Sequence, residues 1–221
     1  MTDFTLIIGN RNYSSWSLRP WMLARHLGLE FHELQIPLDQ PDSSARIHAI
    51  NPAGRVPALR HGELVVWESI AICEYLCEQA GRGLPRQPEA RAVARSMSAE
   101  MHAGFRELRH QWPMNARARG RRVPMTATLQ RDLARVDALW SQARARFGAD
   151  GPWLFGEYSM ADAMYAPVVL RFQTYSAQLS VPAQQYQSTA LADGQLQDWC
   201  AKAAAEPWTI AHEEIGANPG P

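Results

Sequence analysis

The chain has 221 residues, enough for one large domain or two small ones and for a substantial core without disulfide or metal staples. Lys+Arg and Asp+Glu are equal at 22 each, which excludes a global field drawing the protein to nucleic acid or to an acidic membrane surface.

In chain order, Phe4 to Ile8 is a short apolar run ending at Gly9, suited to a strand buried on both faces. A polar, turn-like stretch follows, and a helix is expected from near Ser15 to Leu27. Ser14, Ser15 and Ser17 are capping types, Pro20 is tolerated in the first turn, and Gly28 stops the helix. Glu33 to Ile36 alternates polar and apolar as a second strand, and Pro41 to Ile50 holds a short irregular helix. Val56 to Leu59 and Leu64 to Trp67 predict a hairpin around His61-Gly62. From Ser69 a helix carries Cys73, Leu76, Cys77 and Ala80 at i, i+3, i+4 and i+7. The order β-α-β-α-β-β-α defines a one-sheet α/β domain over residues 1–80.

Residues 81–88, G-R-G-L-P-R-Q-P, read as a linker. Beyond it, residues 89–221 are expected to form an all-α helical bundle. Met97, Met101, Phe105 and Leu108 predict one long helix. Leu129 through Phe147 predicts a second, and the apolar series Ala161 to Phe172 a third, central one. Ser159-Met160-Ala161-Asp162 reads as a capping box for the third helix, with Asp replacing Glu or Gln. A last helix is expected over roughly Gln195 to Ala205, and the tail from Gly216 is expected to be loose.

Three cysteines, Cys73, Cys77 and Cys200, without C-x-x-C spacing point to a reducing compartment, the first two as reduced core residues. The seven histidines lack ligand spacing, so no metal site is expected. No secretion signal and no run of about 18 apolar residues occurs, and a cytoplasmic, non-membrane protein is expected.

Chemistry concentrates in Asn51 to Ile72. Val56-Pro57 brings a residue without an N–H into a strand signal, a backbone shaped for something other than sheet pairing and compatible with a cis bond. Glu68 and Ser69 precede the apolar run Ile70, Ala71, Ile72, placing a carboxylate, a hydroxyl and free backbone N–H groups at a helix start. Such a corner suits a zwitterion, although ordinary helix capping would use the same residues.

Asn51-Pro52 through Val56-Pro57, Glu68-Ser69-Ile70-Ala71-Ile72 with Tyr75-Leu76, and Ser159 to Asp162, in this order and spacing, resemble the cytosolic glutathione transferases over essentially the whole chain. The resemblance implies a thioredoxin-like N-terminal domain, an all-helical C-terminal domain and a homodimer. Ser14-Ser15-Trp16-Ser17-Leu18-Arg19 resembles the S-S-C-x-x-R signature of the zeta class, with Trp16 in place of its cysteine. That substitution speaks against both the zeta isomerase activity and a cysteine-type redox activity.

By the resemblance, Val56 would pair with the cysteinyl backbone of glutathione, the cosubstrate, beside a cis Pro57. Glu68 would take the γ-glutamyl ammonium and Ser69 the γ-glutamyl carboxylate. Arg55 reaches the other carboxylate or stays a solvated loop residue. Ser14, Ser15 or Tyr13 would donate to the sulfur, with Ser14 preferred. Lowering a thiol pKa by about two units needs about 2.7 kcal/mol of preference for the anion, within reach of a charge-assisted bond and a helix end. Arg19 either supports the site electrostatically or lies on the helix surface.

The expected reaction is conjugation of the thiolate to an electrophilic small molecule seated between the domains. A glutathione-dependent isomerase or dehalogenase, or a noncatalytic glutathione-binding module, are the alternatives. Arg106 to Arg122 contains six arginines. It reads first as a solvated charged face and second as a grip on an aromatic or anionic electrophile. RNA binding fits worse, for want of an aromatic stacking platform.

Overall fold

The computed structural model describes residues 4–216, so the tail beyond Gly216 lies outside the described residues. β1 (Phe4–Ile8), α1 (Ser15–His26), β2 (His32–Gln35), α2 (Ser43–His48), β3 (Ala58–His61), β4 (Leu64–Trp67) and α3 (Ser69–Ala80) follow in the expected order. The strands form one mixed sheet in the order β2-β1-β3-β4. β1 runs parallel to β2 with Thr5 opposite His32, antiparallel to β3 with Leu6 opposite Leu59, and β3 is antiparallel to β4.

β1 is buried throughout because both faces of the sheet are covered. Phe4, Leu6 and Ile8 join the large core with α1 and α3, while Ile7 packs with Ile36, Ile47 and Ala58 on the side of α2. The alternation follows from the two-residue period of a strand.

The third strand begins two residues later than expected. The Val56-Pro57 peptide is cis, and Pro57 lacks the N–H a ladder needs, so both residues stay outside the sheet. Gly28 (φ 64) follows α1, and Gly81 (φ 63) ends α3 in the left-handed conformation glycine adopts without cost.

The helical part comprises α4 (Pro88–Ala103), α5 (Arg106–Gln111), α6 (Ala127–Phe147), α7 (Met160–Thr174), α8 (Val181–Leu191) and α9 (Gly194–Ala204). The expected long helix through Met97 and Leu108 is broken in two. Phe105 takes φ 54 and turns the chain, so its apolar stripe belongs to two helices that share a core. α8 escaped the sequence reading because its inward residues are only Ala183, Tyr186 and Ala190 among Gln and Ser. Ser180 followed by Pro182 was its start signal.

α7 is buried along nearly its whole length and packs against α1, α4 and α8. Trp140 from α6 stands edge-on to Tyr165 and Tyr186 and tilted against Phe172 at its centre. None of the described helices is long and apolar enough to cross a membrane.

α9 is tied to α1 by Asp193. Its carboxylate accepts from the backbone N–H groups of Gln195 and Leu196, both at 3.0 Å, and lies 3.2 Å from His26 Nε2. Burial alone would raise this carboxyl, but the His26 hydrogen bond and charge and the two backbone donors outweigh it and hold it below its usual value. A depressed acid contributes stability above its unfolded pKa and loses it as pH falls through the folded one. Asp193→Ala should therefore cost about 1 to 2 kcal/mol at pH 7. In chemical denaturation the difference from wild type should shrink below about pH 4.

Candidate active site

The turn leading into α1 is shaped by close contact. A Cβ on Gly9 would lie 2.8 Å from Leu38 Cδ1 and 3.2 Å from Ser14 Cβ, so a side chain here would displace Leu38 where the end of β1 meets this turn. The carboxylate of Glu206, in the segment after α9, accepts from the N–H groups of Arg11 at 2.8 Å and Asn12 at 3.2 Å. Residues far apart in sequence thus fix the turn that carries the serines.

Ser14 is the N-cap of α1 and Ser15 its first residue. The Ser14 and Ser17 hydroxyl oxygens are 2.7 Å apart, and the Ser17 hydroxyl accepts the Gly9 N–H at 3.1 Å. With Ser17 donating to Ser14, the Ser14 proton is free to point elsewhere. The Ser15 hydroxyl accepts from Arg171 Nη2 at 3.2 Å, and its proton is likewise free. The Tyr13 hydroxyl donates to Glu214 at 2.5 Å and accepts from Arg117 at 2.9 Å, so its proton is engaged away from the serines.

The second half of the site is the loop before β3. Asn51, buried, donates through Nδ2 to the Arg55 carbonyl at 2.8 Å and accepts the Ala53 N–H at 3.1 Å, so one side chain brackets the loop that presents Val56. Glu68 adopts φ 66, ψ 124 at the N-cap of α3, a conformation costly for any residue with a Cβ and concentrated at functional sites. Its side chain is exposed, whereas Ser69 behind it is buried. His102 Nε2 from α4 stands 3.6 Å from the Glu68 carboxylate, and the His102 ring meets Trp16 edge-on.

Arg55, Val56, Pro57, Glu68 and Ser69 line one cavity of about 380 Å³ together with Trp16 and His102. Ser14 and Ser15 line a second of about 380 Å³, and Trp16 and Val56 wall both. Two recesses therefore meet at the junction of the domains.

Arg19 is not on the helix surface. It is fully buried, its guanidinium stacks 4.2 Å from the Trp16 ring, and Nη1 donates to the Ser69 hydroxyl at 3.4 Å. Burial and then the neighbouring Arg171 charge lower it to about 9. The Ser69 hydroxyl accepts from this cation, which leaves its own proton to donate to an anion in the cavity.

The arginine-rich segment is a solvated face only in part: Arg106, Arg119 and Arg122 are exposed, whereas Arg109, Arg117 and Arg121 are half-buried. Arg117 donates to the carbonyls of Glu206 and Trp208, Arg121 pairs with Glu214, and Arg109 lies 5.4 Å from the Trp16 ring. These three fold inward because backbone carbonyls and the Glu214 carboxylate supply their partners. His102 and Arg171 escaped the sequence reading as site residues, and Arg109 entered it only within the Arg106 to Arg122 cluster. Burial pushes the Cys73 thiol well up and the Cys77 thiol to about 12, so neither is a thiolate near neutral pH.

A thioredoxin-like α/β domain joined to a helical domain, with a polar helix-start recess between them, defines a two-domain glutathione transferase fold. The chain belongs to the glutathione S-transferase family: residues 13–79 match its N-terminal domain and residues 126–204 its C-terminal domain, together more than half of the chain. It is 25% identical to rat maleylacetoacetate isomerase over 77% of this chain and 78% of that one. It is also 25% identical to rice protein IN2-1 homolog A over 74% of this chain, but spans only 63% of that relative. A Burkholderia glutathione transferase homolog solved with bound glutathione superposes with TM-score 0.67 at 23% identity, over 92% of this chain and all of that one.

Proposed function

We propose that this protein is an enzyme, a glutathione transferase that activates glutathione as a thiolate for conjugation to an electrophilic small molecule. The observation that carries this reading is the shared wall. A recess lined by Arg55, Val56, Pro57, Glu68 and Ser69 opens beside the Ser14 and Ser15 hydroxyls, with only Trp16 and Val56 between.

The residues fit the tripeptide's charges. Glu68 would accept the γ-glutamyl ammonium, while Ser69, backed by the Arg19 cation, would donate to the γ-glutamyl carboxylate. Val56 would pair with the cysteinyl backbone, and Arg55 on the exposed rim would reach the glycyl carboxylate. The thiol then lies towards α1, where the Ser14 hydroxyl and the positive end of the helix stabilise the anion. We read the working form as a homodimer.

Isomerisation is the second reading, favoured by the likeness to rat maleylacetoacetate isomerase, but Trp16 occupies the signature cysteine position. Product analysis with conjugation and isomerisation substrates separates the two. Turnover with a general aromatic electrophile tests the proposal itself, and tight glutathione binding with no turnover across an electrophile panel would make this a binding module. Glu68→Ala should weaken glutathione binding about tenfold or more by calorimetry, from loss of a charged hydrogen bond. Unchanged affinity would remove Glu68 from its role.

A further inference from the structure

Three arginines meet at the domain junction without an ion-pair partner. Among the described residues, Arg19, Arg109 and Arg171 have no carboxylate oxygen within 4.0 Å. Removing a guanidinium from water costs several kcal/mol unless a counter-ion or full hydrogen bonding replaces the solvent. Arg19 has the Trp16 face and Ser69 at its side. Its Nε and Nη2 have no partner, but Arg19 does not line the cavity of Ser14 and Ser15. Arg171 does: it is 3% exposed, spends Nε on the Trp112 carbonyl at 2.8 Å and Nη2 on Ser15, and likewise leaves Nη1 without a partner.

Arg171 and Arg109 line the cavity that holds Ser14 and Ser15, not the recess of Glu68 and Ser69. We propose that the electrophile bears a carboxylate, held by the free Nη1 edge of Arg171 with Arg109 beside it, so that the reactive carbon is presented to the sulfur at Ser14. This rests on the glutathione transferase reading and adds the substrate class.

The acids in the same cavity do not fill this role. Asp39 is exposed. Glu213, in the short 3-10 turn Ala211–Glu213, faces Arg171 but makes no contact within 4.0 Å, and burial pushes its carboxyl up. Glu213 thus makes no ion pair with Arg171 and leaves its free edge open to an entering carboxylate. Because Arg171 already touches the Ser15 hydroxyl, an anion on its remaining edge lies beside the reacting sulfur. A cation there also lowers the electron density of an attached electrophile.

The test compares 4-chloro-3,5-dinitrobenzoate with its methyl ester, each rate divided by the uncatalysed reaction with glutathione. In both, the thiolate attacks the ring carbon bearing chlorine and chloride leaves. The wild type should prefer the acid at least tenfold in kcat/KM. Arg171→Met and Arg109→Met should each reduce that ratio at least fivefold, and Arg171→Lys should recover part of it.

Binding of 3,5-dinitrobenzoate without thiol, followed by tryptophan fluorescence, should be saturable and weakened at least fivefold in Arg109→Met. This readout survives if Arg171→Met fails to fold. A wild-type ratio near one overturns the inference while leaving conjugation intact. So does an Arg171→Met protein whose bound thiol pKa rises with the acid preference unchanged, because the cation would then serve the thiolate. Saturable carboxylate binding with no conjugation of either compound would instead overturn the transferase reading and retain the anion site.

Discussion

Ser14→Ala is expected to lower kcat/KM for glutathione conjugation about a hundredfold and to raise the bound thiol pKa by about two units. The size follows from a chain of donors. The Gly9 N–H fixes the Ser17 hydroxyl 2.7 Å from that of Ser14, and with Ser17 donating across this contact the Ser14 proton is left for the sulfur. Each link polarises the next. Deleting the last link removes a preorganised donor aimed at the anion, and at neutral pH the thiolate fraction falls with the pKa shift.

Ser14 also caps α1, so the variant should lose about 1 kcal/mol of stability, too little to account for a hundredfold loss by unfolding. Ser15→Ala should cost less rate, because that hydroxyl chiefly meets Arg171. Rate and pH profile measured for both variants decide the assignment. A larger loss in Ser15→Ala would make Ser15 the donor. Full rate and an unchanged profile in both would end the serine reading.

Asp162→Ala is expected to destabilise the protein by about 3 kcal/mol and to lower Tm by about 10 °C. The capping box at the start of α7 is present, but its acid does more than cap. The Asp162 carboxylate accepts from Leu154 N–H at 3.0 Å, Ser159 N–H at 2.8 Å and the Ser159 hydroxyl at 2.8 Å, all buried. Alanine would orphan three buried donors at the helix that packs on α1. An exposed capping box would cost about 1 kcal/mol, and thermal unfolding of Asp162→Ala distinguishes the two values.

Local chemistry was legible where one stretch of chain carries it. The apolar run ending at Gly9, the Pro57 anomaly, the acidic and hydroxyl pair at Glu68-Ser69 and the Ser159 to Asp162 box each point to a backbone event that the structure contains. Strand and helix ends shifted by a residue or two, as at β2 and α9, because end residues satisfy competing partners. The break at Phe105 left no mark in the apolar period, since both pieces bury the same stripe.

Charges were harder to read. The surface or interior position of Arg19 turned on its stacking with Trp16 three residues earlier, a helix-face neighbour visible in principle. Arg171 meets Ser15 across 156 positions of sequence, and Arg117 reaches the Trp208 carbonyl across 91. No local pattern encodes such partners, so an arginine-rich segment looked solvated throughout when Arg109, Arg117 and Arg121 in fact fold inward and only Arg106, Arg119 and Arg122 stay exposed.

The central claim is that the α1 turn makes glutathione a better anion. Its most direct measurement is a pH titration of thiolate absorbance with glutathione bound to the wild-type protein. The account predicts a bound thiol pKa about two units below that of free glutathione, with the shift largely lost in Ser14→Ala. A bound thiol that titrates as it does free in solution would contradict it.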